Sequence, residues 1–200
     1  IAALGSFVVS LQVKLQSQAS LEAIGDAKLK WIVMLLSEDG RSIVNKQGLA
    51  YFDVTIINPS DIDVGYFDLR VFDEKSNKEF NFFKKEQISK LNNTQKMIIH
   101  TALSQEEGYY INLPSGLTGV FKAHSVTTLS FVIVPAEDTE NVDVIFKIAR
   151  KRSLFKKTKA GYVFSKYESI FVSSSLDKSS KPDYQKLLAQ SDEQKPDSKN

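Results

Sequence analysis

The sequence predicts an all-β fold, an antiparallel sandwich of about seven to nine short strands. Three observations lead to this prediction. Apolar side chains alternate with polar ones in several segments, clusters of turn residues separate these segments at spacings of roughly 8–15 residues, and no helical segments alternate with the strands. The last observation argues against a parallel sheet with crossover helices.

The alternation is clearest from Tyr51 to Phe72, which reads YFDVTIINPSDIDVGYFDLRVF. Successive side chains of a strand point to opposite faces, so the first half places its apolar residues on one face. Residues 58–61 (NPSD) form a turn, because Pro59 fixes its φ and the short polar side chains bond to nearby backbone. A second strand then places Phe67, Leu69 and Val71 on one face.

The other strands are assigned by the same pattern. They are Lys28–Leu36, Phe80–Phe82, Tyr109–Leu113, Val120–Phe121, Val126–Val134, Val142–Ile148 and Tyr162–Val172. A helix that begins at Ser20 is the alternative for the first of them. Residues 87–105 are weakly periodic, with one short apolar group from Met97 to Ile99. The side chains expected in the core are Phe52, Val54, Ile56, Leu69, Val71, Phe131, Ile133, Val144 and Phe146.

The first residues differ from the rest of the chain. Residues 1–13 (IAALGSFVVSLQV) are small or apolar and carry no charge before Lys14. A spanning helix needs about 20 apolar residues, so this segment is expected to be the second half of a membrane helix that begins upstream. A signal-peptide core and an ordinary buried segment are the alternatives. Residues 1–26 are therefore assigned to an apolar helix, a possible truncated membrane anchor, and a linker.

The last residues are polar. Residues 173–200 contain five Lys, five acidic residues and two Pro, and their only aromatic residue is Tyr184. Such a composition buries too little apolar surface to order itself, so a disordered tail is expected. The predicted organisation is thus an apolar segment at 1–26, a β-sandwich domain at 27–172 and a disordered polar tail at 173–200.

The succession of strand, NPSD turn and strand at 51–72 resembles that of immunoglobulin-like sandwiches. The resemblance extends over residues 28–172 and implies an immunoglobulin-like arrangement of the strands. The Cys and Trp pattern of immunoglobulin domains is missing, since the chain has no cysteine and Trp31 has no cysteine partner. The resemblance implies a fold and no particular function.

No catalytic, cofactor or metal site is predicted. His100 and His124 are the only histidines, and neither lies at ligand spacing from another His, Asp or Glu. The Ser-x-x-Lys matches at residues 153–156 and 175–178 are expected by chance in a chain rich in Ser and Lys. Turn acids explain Asp61, Asp63 and Asp68 more simply than a calcium site does, and the same holds for the acids at 137–140.

Residues 147–159 (KIARKRSLFKKTK) carry seven basic residues and no acid, with Phe155 among them. They fall between two predicted strands, so they are expected on a hairpin at one end of the sandwich. Such a hairpin is suited to contact phosphates or anionic lipid, and a solvated loop is the alternative. The candidate anion-contact residues are Lys147, Arg150, Lys151, Arg152, Lys156, Lys157 and Lys159.

The sequence as a whole favours a non-enzymatic binding or scaffolding module that is anchored in a membrane through its N-terminus. A formal charge of only +2 makes nucleic acid a poor partner for the molecule as a whole. Lys14, Lys28 and Lys30 follow the apolar segment, which favours a cytoplasmic domain, with an extracellular one as the alternative. A secreted or phage-type structural or adhesion domain is the second functional hypothesis. An enzyme whose site is assembled from distant residues is the third.

Overall fold

The fold was analysed in a computed structural model, which describes residues 21–26, 28–37, 42–87, 97–100, 108–149 and 167–184. This part of the chain contains thirteen strands. In chain order they are β1 (Glu22–Gly25), β2 (Lys28–Ile32), β3 (Met34–Ser37), β4 (Ser42–Ile43), β5 (Leu49–Asn58), β6 (Val64–Asp73), β7 (Glu79–Phe80), β8 (Met97–His100), β9 (Gly108–Ile111), β10 (Gly119–Phe121), β11 (Ser125–Ile133), β12 (Asn141–Ala149) and β13 (Tyr167–Leu176). The prediction of an all-β fold is confirmed.

Nine strands form one large hydrogen-bonded sheet with two groups. In the first group, β5 has β11 on one side and β1 and β2 on the other, all antiparallel to it. In the second group, β12 lies between β6 and β13, also antiparallel, and β6 pairs with the short strands β7 and β10. β2 joins the groups, because Lys28 and Leu29 pair in parallel with the end of β13 while residues 30–32 pair with β5.

The two groups share one apolar core. On the side of the first group, Phe52 of β5 stacks on Phe131 of β11 with ring centroids 5.3 Å apart. On the side of the second group, the ring of Phe146 in β12 contacts the rings of Tyr66 and Phe121 edge-on, with centroid distances of 6.1 and 5.7 Å. Every side chain that the alternation pattern assigned to the core is buried, which confirms that prediction.

A second, four-stranded sheet has the order β4-β3-β8-β9 and was not predicted. Its inner face packs with Tyr51 and Val132, which lie on the face of β5 and β11 that points away from the main core. The apolar group from Met97 to Ile99 is the centre of this sheet, in the segment that the sequence left unassigned. The strand predicted at Tyr109–Leu113 corresponds to β9.

The predicted strand at Lys28–Leu36 is extended, as expected, but it is divided between the two sheets. β2 pairs within the large sheet and β3 pairs with β8 of the small sheet. Between them, the buried Val33 donates its backbone N–H to the carbonyl of His100 at 2.8 Å. The helical alternative for this segment is therefore wrong.

β6 contains a bulge that the alternation pattern did not predict. Phe67 pairs with Lys147 and Arg70 pairs with Ile145, so two residues of β6 lie opposite one residue of β12. Asp68 takes a φ of +57° at this point. The extra residue places Phe67 on the opposite face from the buried Leu69, which corrects the predicted common face.

The described domain extends beyond both expected boundaries. At the N-terminus, Glu22–Gly25 is a strand, within the range expected to be helix and linker, and the apolar residues 1–13 lie outside the described residues. At the C-terminus, β13 continues to Leu176, and residues 177–184 follow with a short 3₁₀ helix at Lys178–Ser180. Tyr184 is buried and donates its hydroxyl to the carbonyl of Ile32 at 2.7 Å. The segment is otherwise polar, and two of its side chains, Leu176 and Tyr184, pack in the main core.

Candidate functional site

The strand directions bring several chain segments to one end of the large sheet, here called the upper end. β5 ends there at Asn58, and β11 begins opposite it at Ser125. β1 also begins at this end, where Glu22 pairs with Ile57. The opposite, lower end holds the end of β6 and the end of β13. Residues 1–20 therefore join the domain at its upper end.

The predicted basic hairpin leaves from the same end. β12 runs upward, since Ile148 pairs with Tyr66 near the start of β6. Its last residue, Ala149, pairs with Tyr167, the first residue of β13. The antiparallel pair of strands on which the hairpin prediction rested is thus present. The N-terminal junction and both ends of the segment 150–166 lie at the upper end of the domain.

Two turns at the upper end are joined by the buried side chain of Asn58. Its Nδ2 atom donates to the carbonyl oxygens of Ile62, Phe121 and Lys122 at 2.9, 3.1 and 2.9 Å. Its Oδ1 atom accepts from both the backbone N–H and the hydroxyl of Ser60. The turn at 59–63 is therefore fixed to the turn at 122–124, because a buried amide with this many partners has one favourable orientation.

A lysine and a histidine side chain lie beside two carboxylates on the surface of these turns. Lys122 Nζ lies 2.7 Å from Asp63 Oδ2, and His124 Nε2 lies 2.8 Å from Asp61 Oδ1. The hydrogen bond from Lys122, followed by one from the backbone N–H of Ala123, lowers the pKa of Asp63. In the described part of the chain no group of three acidic or histidine side chains is placed to hold a metal ion.

Asp68, the third acid of the calcium hypothesis, lies on the bulge of β6 and not in the turns. Its carboxylate accepts hydrogen bonds from Lys147 and from Arg70 Nε, the latter at 2.6 Å. The hydrogen bond from Lys147 is the main cause of a lowered pKa at Asp68. Lys147, the first of the candidate anion-contact residues, is therefore held by a carboxylate on the sheet surface.

The other candidate anion-contact residues fall outside the described residues. They are Arg150, Lys151, Arg152, Lys156, Lys157 and Lys159. Their role remains a prediction, and the structure fixes only where the segment that carries them begins and ends.

The two histidines have different surroundings and lie apart in the fold. His124 is exposed in the upper turn and has a positive φ of 49°. His100 is buried in β8, and among the described residues neither ring nitrogen has a hydrogen-bond partner. Of the two Ser-x-x-Lys matches, Ser175 lies in β13 and Lys178 in the 3₁₀ helix after it, while residues 153–156 are outside the described residues.

A polar cleft of about 710 Å³ opens at the lower end. Its lining includes Phe80 and Pro135, and it includes Lys46, Lys78 and Lys181 from three different segments. Lys181 also lies over the ring of Trp31 at 5.2 Å. The sequence did not reveal this cleft, because its residues come from separate turns with no common motif.

No helix among the described residues is both long enough and apolar enough to cross a membrane.

Comparison with known proteins finds no matching family model and no matching curated protein. A solved structure that resembles this chain is that of a candidate lipoprotein from Bacillus subtilis, with 10% sequence identity and a TM-score of 0.32. The alignment covers 88% of this chain and 40% of the other, so the chain spans well under half of that protein's length.

Proposed function

We propose that this protein is a non-enzymatic binding or scaffolding module, anchored in a membrane by its N-terminal segment and contacting anionic lipid through the basic segment 147–159. One observation carries the proposal. The N-terminal junction and the two ends of the basic hairpin lie at the same end of the domain. A membrane anchor in residues 1–13 would hold the hairpin close to the lipid headgroups.

We also propose that the large sheet is an immunoglobulin-like sandwich. The pairing pattern supports this. One group has the order β1-β5-β11 and the other β13-β12-β6, and β2 leaves the first group to pair in parallel with β13. The side chains of both groups meet in one core. Such a sandwich is a rigid scaffold that presents loops at its two ends.

The electrostatic contribution comes mainly from the segment beyond β12. Lys147 is paired with Asp68, which leaves six basic residues between Arg150 and Lys159. Each Lys or Arg close to an anionic membrane contributes about 1 kcal/mol to binding. Because the attraction falls off within a Debye length of about 8 Å at 0.15 M salt, it requires the hairpin to be near the surface. The proposed location of the domain is the cytoplasmic side, where anionic lipid is concentrated.

Vesicle sedimentation tests the lipid contact. A shortened chain of residues 20–200 retains every described strand but lacks the apolar segment. In the test variant, Arg150, Lys151, Arg152, Lys156 and Lys157 are replaced by Gln. In the matched control, five lysines of the lower end are replaced by Gln: Lys46, Lys75, Lys78, Lys178 and Lys181. Both variants lose the same charge, so only the position of that charge differs.

The shortened chain should bind anionic vesicles at low salt, bind neutral vesicles weakly, and dissociate as the salt concentration rises past about 0.15 M. The test variant should lose most of this binding and the control should keep most of it. Equal loss in both variants would show that only net charge matters. Absence of binding by the unmodified shortened chain would refute the lipid contact and leave the basic segment as a solvated loop.

A further inference from the structure

Several exposed aliphatic side chains surround the upper end of the domain. Ile62 in the turn after β5 is 40% exposed, Val120 in β10 is 53% exposed and Val126 in β11 is 67% exposed. Ile24 in β1 is 52% exposed. These four residues are here called the apolar rim. Single exposed apolar residues are common on protein surfaces, so their significance depends on their positions.

The rim residues lie at graded distances from the end of the sheet. Ile62 lies in the turn itself, and Val126 pairs with Ile57, one residue from the end of β5. Ile24 pairs with Thr55, three residues from that end. With a rise of about 3.4 Å per residue, Val126 lies about 3 Å and Ile24 about 10 Å below the last residue of β5.

The rim also extends around the domain. Val120 pairs with Gly65 of β6, while Val126 and Ile24 pair with residues of β5, so the rim involves both strand groups. The lower end differs in composition. Its exposed turn residues at 46–47, 74–79 and 136–138 are polar or charged except for Ala136. Val44, which is 38% exposed, is the one exposed large aliphatic residue of the described lower end.

The turns at the upper end are suited to approach an apolar or anionic surface. The five hydrogen bonds of Asn58 hold the turn that carries Ile62. Asp63, whose carboxylate would be repelled by anionic lipid, is paired with Lys122, and Asp61 Oδ1 lies 2.8 Å from His124 Nε2. Both features lower the free-energy cost of moving this end into the headgroup region.

We infer that the domain rests end-on against the bilayer, with the apolar rim in contact with lipid. This inference rests on the proposed membrane attachment and adds the orientation of the domain and the side chains that enter the interface. Interfacial amphipathic helices bury their apolar face about 5–10 Å into the headgroup and acyl boundary. That depth corresponds to the roughly 10 Å between the last residue of β5 and the level of Ile24. The basic hairpin supplies attraction and the rim supplies burial of apolar surface.

Single-cysteine labelling tests the orientation in the full chain, because the protein has no cysteine of its own. Ile62→Cys, Val126→Cys and Ile24→Cys report on the rim, and Val44→Cys is the matched control at the lower end. Each site is exposed, so labelling with a polarity-sensitive fluorophore should leave the fold intact, as circular dichroism can verify. Quenching by aqueous iodide and by a lipid-attached quencher is measured with and without anionic vesicles.

On vesicles, iodide quenching should fall several-fold at Ile62 and Val126, less at Ile24 and not at Val44. The lipid-attached quencher should act in the same order. If the protein floats with the vesicles but the rim labels are quenched by iodide as strongly as the Val44 label, the end-on orientation is wrong and the attachment stands. Rim labels that are shielded even without vesicles would indicate a protein contact and overturn the inference. If the full chain does not float with vesicles, the proposed attachment fails and the orientation fails with it.

Discussion

The side-chain amide of Asn58 donates a hydrogen bond to the backbone carbonyl of Lys122 at 2.9 Å, across 64 residues of sequence. This contact joins the turn after β5 to the turn before β11. The second turn also contributes the backbone N–H of His124, which donates to the carbonyl of Ser60 at 3.2 Å. The upper end of the domain therefore has a defined shape that depends on one buried polar side chain.

Replacement of Asn58 by Ala should lower the free energy of unfolding by at least about 2 kcal/mol, because several buried partners lose their hydrogen bonds at once. Asn58→Asp separates the two functions of the amide, since it retains an acceptor for Ser60 but cannot donate to the three carbonyls. It should also destabilise the domain. Urea unfolding measures both changes, and the neighbouring exposed Pro59→Ala is the control. Wild-type stability of Asn58→Asp would show that the carbonyl contacts contribute little.

A substitution at Leu69 tests how tightly the main core is packed. Its side chain is fully buried beside the bulge of β6, so Leu69→Ala should cost about 2–5 kcal/mol as a large-to-small change. Val44→Ala, at a partly exposed site, should change the free energy of unfolding by less than about 0.5 kcal/mol. Chemical denaturation of both variants gives the comparison, and a cost for Leu69→Ala near that of the control would mean that this part of the core is loosely packed.

The C-terminal contact of Tyr184 should make stability sensitive to alkaline pH. Burial raises the pKa of Tyr184 from 10.0 to about 12. The unfolded chain therefore loses the phenol proton at a lower pH than the folded chain does. The stabilising contribution is complete below pH 10 and disappears as the pH rises towards about 12.

The variant Tyr184→Phe should lose about 1 kcal/mol at neutral pH with its hydrogen bond to Ile32. It should also lose less stability than the wild type between pH 10 and 12. The wild type and the variant can be compared by thermal unfolding over that range. If both proteins lost the same stability between pH 10 and 12, the pH dependence would come from other tyrosines, such as Tyr66, whose pKa is also raised by burial.

Asp68 should stabilise the folded domain at neutral pH, and this contribution should disappear at acidic pH. Its pKa is lowered in the folded state, mainly by the hydrogen bond from Lys147, so the contribution is present above the ordinary carboxyl value of 3.8 and is lost as the pH falls through the folded value. Asp68→Asn should remove this acid dependence while keeping the bulge, because Asn also tolerates a positive φ. Asp68→Ala should be less stable than Asp68→Asn, since Ala disfavours that backbone conformation. Equal stability of the two variants at pH 7 would contradict this account of the bulge.

The sequence predicted the strands whose two faces differ in polarity. The second half of β5 and β12 as far as Ile148 alternate clearly because one face meets the main core. The small sheet was missed because its central apolar group, Met97–Ile99, is short and lies in a polar stretch. A signal for it was nevertheless present in the continuous apolar run Leu49–Phe52. Both faces of that part of β5 are buried, since Tyr51 packs against the small sheet.

The upper end was predicted less completely. The position of the basic hairpin followed from two neighbouring strand patterns, and the structure contains that pair. The hydrogen bonds of Asn58 and the bulge at Asp68 depend on partners that are distant in sequence, such as Phe121 and Lys147. Local patterns carry no information about such contacts. The same holds for Tyr184 beyond the expected boundary at residue 172, because its burial and its hydrogen bond to the carbonyl of Ile32 depend on residues that are distant in sequence.

The most direct test of membrane anchoring is fractionation of cells that produce the natural protein, followed by a high-salt wash of the membranes. The complete protein should stay in the membrane fraction after the wash, because burial of an apolar segment does not weaken with salt. A chain that begins at Ser20 should instead fold, appear in the soluble fraction and bind anionic vesicles only at low salt. Recovery of the complete, unprocessed protein in the soluble fraction would contradict the proposed anchoring.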